Sequence, residues 1–239
     1  MITLEVCANS LQSALNAQQG GASRIELCDN LYVGGTTPAF SHISLARNLL
    51  DIDLNVLIRP RGGDFVYSDI EFQLMKIDIE YCGSIGYDGI VFGILKSDYT
   101  IDKKRCEELV DLARHYGMSV TFHRAFDYCK DLYVALDEII SLGINRLLTS
   151  GGEATAFEGR YIISDLIDRA GDVINIMPGG GINEDNISDL VRCTHLKEFH
   201  GSFQEKVSCI PSPAYQTDYF METSTARVSN VIDITNNCL

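Results

Sequence analysis

The chain has no tryptophan, only five prolines, and few basic residues for its length of 239. No apolar run approaches the roughly 18–20 residues that a membrane-spanning helix needs, so no spanning segment is expected. Residues 1–6 lack a basic region followed by an apolar stretch, which argues against a secretory signal and for a cytoplasmic protein. Nineteen Lys and Arg stand against 33 Asp and Glu, a formal net charge of −14. Such a surface repels nucleic-acid phosphates and anionic membranes, so neither is an expected partner. Several chemical signatures are also missing: no CxxC pair, no HExxH, no calcium-binding loop, no GxxxxGK[ST] and no GxGxxG after the first strand. Eight cysteines at 7, 28, 82, 106, 129, 193, 209 and 238 are scattered, which reads as reduced thiols and not as a disulfide framework.

What the chain does have is a repeat of one motif: a short β-branched run, a Gly- or Asp-rich loop, then a helical pattern. Strands are expected at 4–8, 24–28, 55–59, 89–93, 119–123, 146–149, 174–177 and 198–200, starting at intervals of roughly 20–34 residues. Helices are expected at 11–19, 70–82, 103–115, 132–142 and 162–170. Ser10, Ser68, Asp102 and Asp131 are placed to cap them, and Gly20, Gly83, Gly117, Gly143 and Gly171 to end them in a left-handed residue. Eight strand–helix units predict a parallel (β/α)8 TIM barrel in a single domain, with a doubly wound sheet as the alternative. Residues 1–200 form the barrel core. Residues 201–239, with Pro211 and Pro213, read as an irregular C-terminal extension that completes or flanks it, weakly helical only at 225–234.

Strand side chains alternate faces. The apolar sets of strands 1 and 2 belong under the helices, which turns Glu5, Cys7, Glu26 and Cys28 toward the barrel axis. The same parity sends Asn55, Arg59, Thr121, His123, Glu198 and His200 inward. The C-terminal mouth, where such barrels carry their chemistry, then holds Glu26, Arg59, His123 and His200, with Arg124 and Asp127 in the next loop. Two readings stay open. One is a self-satisfied ion-pair network that plugs the barrel. The other is a catalytic site in which Glu26 and His123 act as base and acid and Arg59 clamps a carboxylate or phosphate.

Glycine-rich turns follow strands 3, 6 and 7, where backbone N–H groups can approach an anion. They make Arg61, Ser150, Gly151, Gly179, Gly180 and Gly181 candidate anion-binding residues. Cys7 and Cys28, at equivalent ends of adjacent strands, could hold a soft ion such as Cu(I), with Met177 as a third soft donor.

The segments LEVC (4–7), RIELC (24–28), GGTTP (34–38), IRPRGGDF (58–65), TFHRAFD (121–127), LTSG (148–151) and MPGGGI (177–182) together resemble the CutC copper homeostasis family. The likeness runs in order as far as EFH (198–200). It implies a cytoplasmic (β/α)8 barrel, a homo-oligomer, a role in copper handling, and Cu(I) bound through Cys7 and Cys28. The chain departs from some similar members in having Gly201 where they carry a cysteine after the strand-8 histidine, and the tail after Ser202 departs from the family pattern. Two functions remain. One is a copper homeostasis protein; the other is a lyase- or isomerase-type enzyme acting on a small phosphorylated or carboxylated metabolite.

Overall fold

Seven parallel pairings join eight short strands in the order of the chain. The computed structural model describes residues 2–210 and 218–238. The strands are β1 (Thr3–Ala8), β2 (Arg24–Leu27), β3 (Asp53–Leu57), β4 (Gly89–Phe92), β5 (Ser119–Phe122), β6 (Arg146–Thr149), β7 (Asn175–Pro178) and β8 (Glu198–Gly201). Strands β1 to β7 pair each with the next in the chain, β8 pairs with β1, and a parallel bridge between Gly179 and His200 closes the ring. The expected TIM barrel is therefore present. Strand 3 ends earlier than residue 59. Ile58 still donates to Val91, but Arg59 donates to the Thr37 hydroxyl and Pro60 has no N–H with which to continue a ladder.

The helices are α1 (Leu11–Gln19), α2 (Phe40–Leu49), α3 (Asp69–Ser84), α4 (Lys103–His115), α5 (Leu132–Ser141), α6 (Arg160–Ala170), α7 (Ile187–Thr194) and α8 (Thr225–Asn236). The four expected caps all accept first-turn N–H groups, and Ser68 forms a reciprocal capping box with Glu71. Helices α2 and α7 add to those the pattern revealed. Two of the terminating glycines have a different cause. Gly20 and Gly83 are not left-handed. A Cβ on Gly20 would lie 2.7 Å from the Val228 side chain, and one on Gly83 would meet the Tyr116 ring at 2.2 Å. They are glycines because neighbouring elements press on them.

After β8 the chain makes an antiparallel hairpin of β9 (Gln204–Ser208) and β10 (Tyr219–Thr223), then returns through α8. That helix buries Val228 and Val231 and packs beside α1 and α7, so the eighth helix is delayed, not absent. Pro211 and Pro213 lie outside the described residues.

Apolar residues on the outer face of the strands pack under the helices in one continuous core, where the fully buried rings of Phe92 and Phe122 meet edge to face at 6.3 Å. A second, small cluster of Cys7, Cys28, Leu57 and Val91 lies apart from it. Replacing Phe122 by Ala should cost about 3–5 kcal/mol, through lost burial and the cavity left behind. Urea denaturation followed by far-UV circular dichroism reads that loss.

Candidate functional site

The floor of the mouth is an ion cluster. Arg24 donates through Nε to Glu5 at 2.5 Å and through Nη2 to Glu198 at 2.6 Å. Glu198 also accepts from Arg146 Nε at 2.9 Å and Asn175 Nδ2 at 3.1 Å, and Glu5 accepts from Asn55 Nδ2 at 3.0 Å. The Glu5, Arg24 and Glu198 side chains are shielded from solvent, so each charge needs the partners it has. Burial pushes the Glu5 carboxyl up, but the hydrogen bond from His200 and the Arg24 charge outweigh it and hold the group down at about 2. Met177 belongs to this floor: its Sδ faces Arg24 Nη2 at 3.5 Å, which corrects its assignment as a soft metal donor.

Above the floor, the Cys7 and Cys28 Sγ atoms lie 3.3 Å apart. Ligand atoms of Cys7, Glu26 and His200 all fall within 4.8 Å of one another. His200 Nδ1 bonds the second Glu5 oxygen at 2.9 Å, and its Nε2 lies 3.7 Å from Glu26. Burial would lower the His200 pKa; hydrogen bonds to Cys7 and Glu5 and the Glu26 charge instead raise it well above the ordinary value. Cys7 is raised by its contact with Cys28 and by burial, and Glu26 chiefly by burial. Strand parity assigns Glu26 and His200 to the catalytic candidates and Cys7 to the metal candidates. The structure places these three side by side.

The other candidates stand on the β3 and β5 side. Arg59 is buried, and its Nη atoms donate to the carbonyls of Val33, Gly35 and Gly63 at 2.6–2.8 Å. The fork expected to clamp an anion is therefore occupied by backbone. His123 is also buried, with Nδ1 accepting from Ala125 N–H at 3.1 Å. Burial, then the Arg59 charge, lowers its pKa to about 3. It is a neutral imidazole at physiological pH, not an acid that donates from the imidazolium form.

The glycine turns are partly closed from within. Asp127 accepts from Ser150 N–H and Oγ–H, Gly152 N–H, Thr149 Oγ and Arg124 Nε, while Gly151 N–H donates to Thr149. Gly179 N–H is taken by Thr149 O. Arg61 bonds Asp64 and Glu71 away from the mouth. Gly180 and Gly181, in contrast, line a cavity of about 690 Å³ that also touches Cys7, Glu26, Arg59, His123 and His200. Sequence reasoning missed Arg24, Arg146 and Asp127 as organising groups. Arg24 shares the parity of Glu26 and was legible; Asp127 stands out in its loop, but its role depends on a contact between the β5 and β6 units.

Residues 2–205 match the model of the CutC family. The chain belongs to the CutC family. A CutC family protein of Chromobacterium violaceum is 46% identical over 205 residues, which cover 86% of this chain and 82% of that protein. A human relative named copper homeostasis protein cutC homolog is 46% identical over 83% of this chain and 72% of its own length. The crystal structure of a CutC protein from Streptococcus agalactiae superposes with a TM-score of 0.80 at 37% identity, covering 84% of this chain and 99% of the other. This CutC family member contains no helix, among the described residues, long and apolar enough to cross a membrane.

Substituting Glu5 by Gln leaves Arg24 buried with one counter-charge fewer and should destabilise the fold by about 3–5 kcal/mol. The wild-type pH dependence has a defined sign. A carboxylate held at about 2, below its ordinary 4.5, contributes stability that is complete above about pH 5 and is lost as pH falls toward 2. Urea titrations across that range should show the decline, and the Gln variant should show less of it.

Proposed function

We propose that this protein serves copper homeostasis by holding Cu(I) at the barrel mouth, with Cys7 as the central ligand, Cys28 beside it and His200 Nε2 completing the set. The supporting observation is the 3.3 Å approach of the two thiols next to an imidazole whose other nitrogen is engaged by Glu5. Thiolate sulfur suits a soft monovalent ion, whereas the Glu26 oxygen does not, so Glu26 is better placed to take the proton that a thiol must release. A carboxylate behind a ligating histidine is the usual outer support of such sites: it fixes the ring and leaves the opposite nitrogen for the metal. Cys7, Cys28, Cys82, Cys106, Cys129, Cys193 and Cys238 are free thiols, as a reducing compartment such as the cytoplasm would keep them.

The position after the strand-8 histidine supplies no third sulfur. A Cβ on Gly201 would meet the Phe203 ring at 2.7 Å, so that space is filled by an aromatic edge. The copper set is thus restricted to two thiols and one imidazole.

Titration of the reduced, metal-free protein with Cu(I) against a competing chelator tests the reading. One equivalent should bind tightly, and the Cys7→Ser/Cys28→Ser variant should lose it. His200→Gln should weaken binding by about tenfold or more, the scale of a lost supporting ligand. Binding indifferent to both thiols would overturn the proposal.

A further inference from the structure

The copper reading uses one side of the mouth and leaves the other unexplained. Arg59 is 3% exposed, yet among the described residues no carboxylate pairs with it; its Nη atoms donate to carbonyl oxygens, its Nε has no hydrogen-bond partner, and its charge acts on the Tyr67 hydroxyl and, least among the causes there, on Asp64. A buried cation without an ion pair is costly, and it is the more unusual in a chain with a net charge of −14. The Phe65 ring carries the Arg59 guanidinium on its face, 5.0 Å from the centroid, and lies 5.0 Å from the His123 ring. Because His123 Nδ1 accepts from Ala125 N–H, the proton of the neutral ring sits on Nε2, and that buried donor has no partner either.

A second guanidinium borders the same cavity. Arg124 is oriented by Asp127 through Nε and by Ser150 through Nη2, while its Nη1 makes no hydrogen bond among the described residues. Nη1 rests over Gly180, where a Cβ would come within 2.9 Å and where the positive φ of +106° already favours glycine. Gly180 belongs to the loop after β7, among the late-strand loops that commonly hold phosphates in barrels of this class. The competing acids are engaged: Asp127 by five donors, Glu26 beside His200. Leu31, Val33, Leu57, Leu148 and Ile182 supply apolar wall. At about 690 Å³ the space suits a small metabolite and far exceeds what one metal ion fills.

We propose that this cavity binds a small organic oxyanion, a carboxylate or phosphate monoester with an apolar body, whose charged end lies between Arg124 Nη1, the Arg59 charge and the His123 Nε2–H. The apolar body rests against the Leu31–Val33 turn and Leu57. The ligand supplies the counter-charge that the chain withholds from Arg59. It also gives the sequence motif around His123 and Arg124 a role that copper binding does not require. The two sites share a cavity but no ligand atoms.

Thermal unfolding of the chelator-treated, metal-free protein in sodium phenyl phosphate and in sodium benzoate, each against sodium chloride at equal ionic strength, tests this. At least one organic anion should raise the midpoint in a saturable way, since a ligand that binds only the folded state stabilises it. The dissociation constant should rise about tenfold or more in Arg124→Gln and in His123→Phe, each of which removes a donor to a charged group. It should be unchanged in Arg169→Met, which alters an exposed ion pair elsewhere. The anion that acts identifies the head group as carboxylate or phosphate. No stabilisation beyond chloride by either anion would overturn the proposal, as would a shift equally strong in the Arg124 and His123 variants. Arg59→Met would also cut three ties to backbone carbonyls, so the test rests on the Arg124 and His123 variants instead. Copper plays no part in the measurement, so its outcome is independent of the Cu(I) titration.

Discussion

Arg24 is the group on which the rest of the barrel interior depends. Its guanidinium joins Glu5 on β1 to Glu198 on β8, across the strands where the ring begins and ends. Around that pair, Asn55 comes from β3, Arg146 from β6 and Asn175 from β7. Strand β4 contributes Gly89, where a Cβ would lie 2.3 Å from Asn55 Oδ1. The floor thus replaces the branched aliphatic layers usual in such barrels with hydrogen bonds and ion pairs. A network of this kind holds only if its members are satisfied, which makes it intolerant of losing any one charge.

Glu5 couples this floor to the chemistry above. One of its oxygens belongs to Arg24 and Asn55, the other to His200. The histidine therefore inherits its orientation from the barrel closure, and Cys7, two residues along β1 from Glu5, rises beside it. The two histidines of the mouth are driven in opposite directions. His200 stands among Glu5, Glu26 and Cys7 and is held toward its charged form; His123 stands near Arg59 and Phe65 and stays neutral. One cavity thus has a side of two sulfurs and a carboxylate gathered around the His200 ring, and an electropositive side made of two guanidinium groups and an N–H. That division follows from which strands carry which residues, and it separates the side proposed for a soft cation from the side proposed for an anion.

Much of this was legible in the sequence, because period-two alternation is a strong signal where one strand face is apolar. Parity on β1 and β2 turned Glu5, Cys7, Glu26 and Cys28 inward, and the strand–helix rhythm with its four caps fixed the architecture. The failures share a cause. Arg24 is the residue that should have been found, since it lies two positions before Glu26. Arg59 was identified, but whether its fork faced a ligand or three carbonyls depends on the path of the 31–35 and 62–63 loops. The Ser150–Gly152 turn looks like an anion cradle in one dimension; in three, Asp127 from the preceding unit fills it. Local patterns reported which face a residue takes, but not whether its donors were already in use.

Of the two readings of the mouth drawn from the sequence, the ion-pair plug describes its lower layer, and the reading as a site concerns the layer above. Glu5, Arg24, Arg146 and Glu198 answer one another and leave no charge over. One step higher that balance is lost. Among the described residues the buried Arg59 guanidinium has no carboxylate and the buried His123 Nε2 no partner, while the partly exposed Arg124 turns Nη1 toward Gly180. Buried polar groups are ordinarily satisfied. The charges of the floor are paired and the Arg59 charge above it is not, so the step between them separates the scaffold from the candidate site. The same boundary separates Met177, whose sulfur is turned to Arg24 in the floor, from Cys7 and Cys28, whose sulfurs meet each other above it. Residue type alone would have pooled all three as soft donors, and depth in the barrel is what tells them apart.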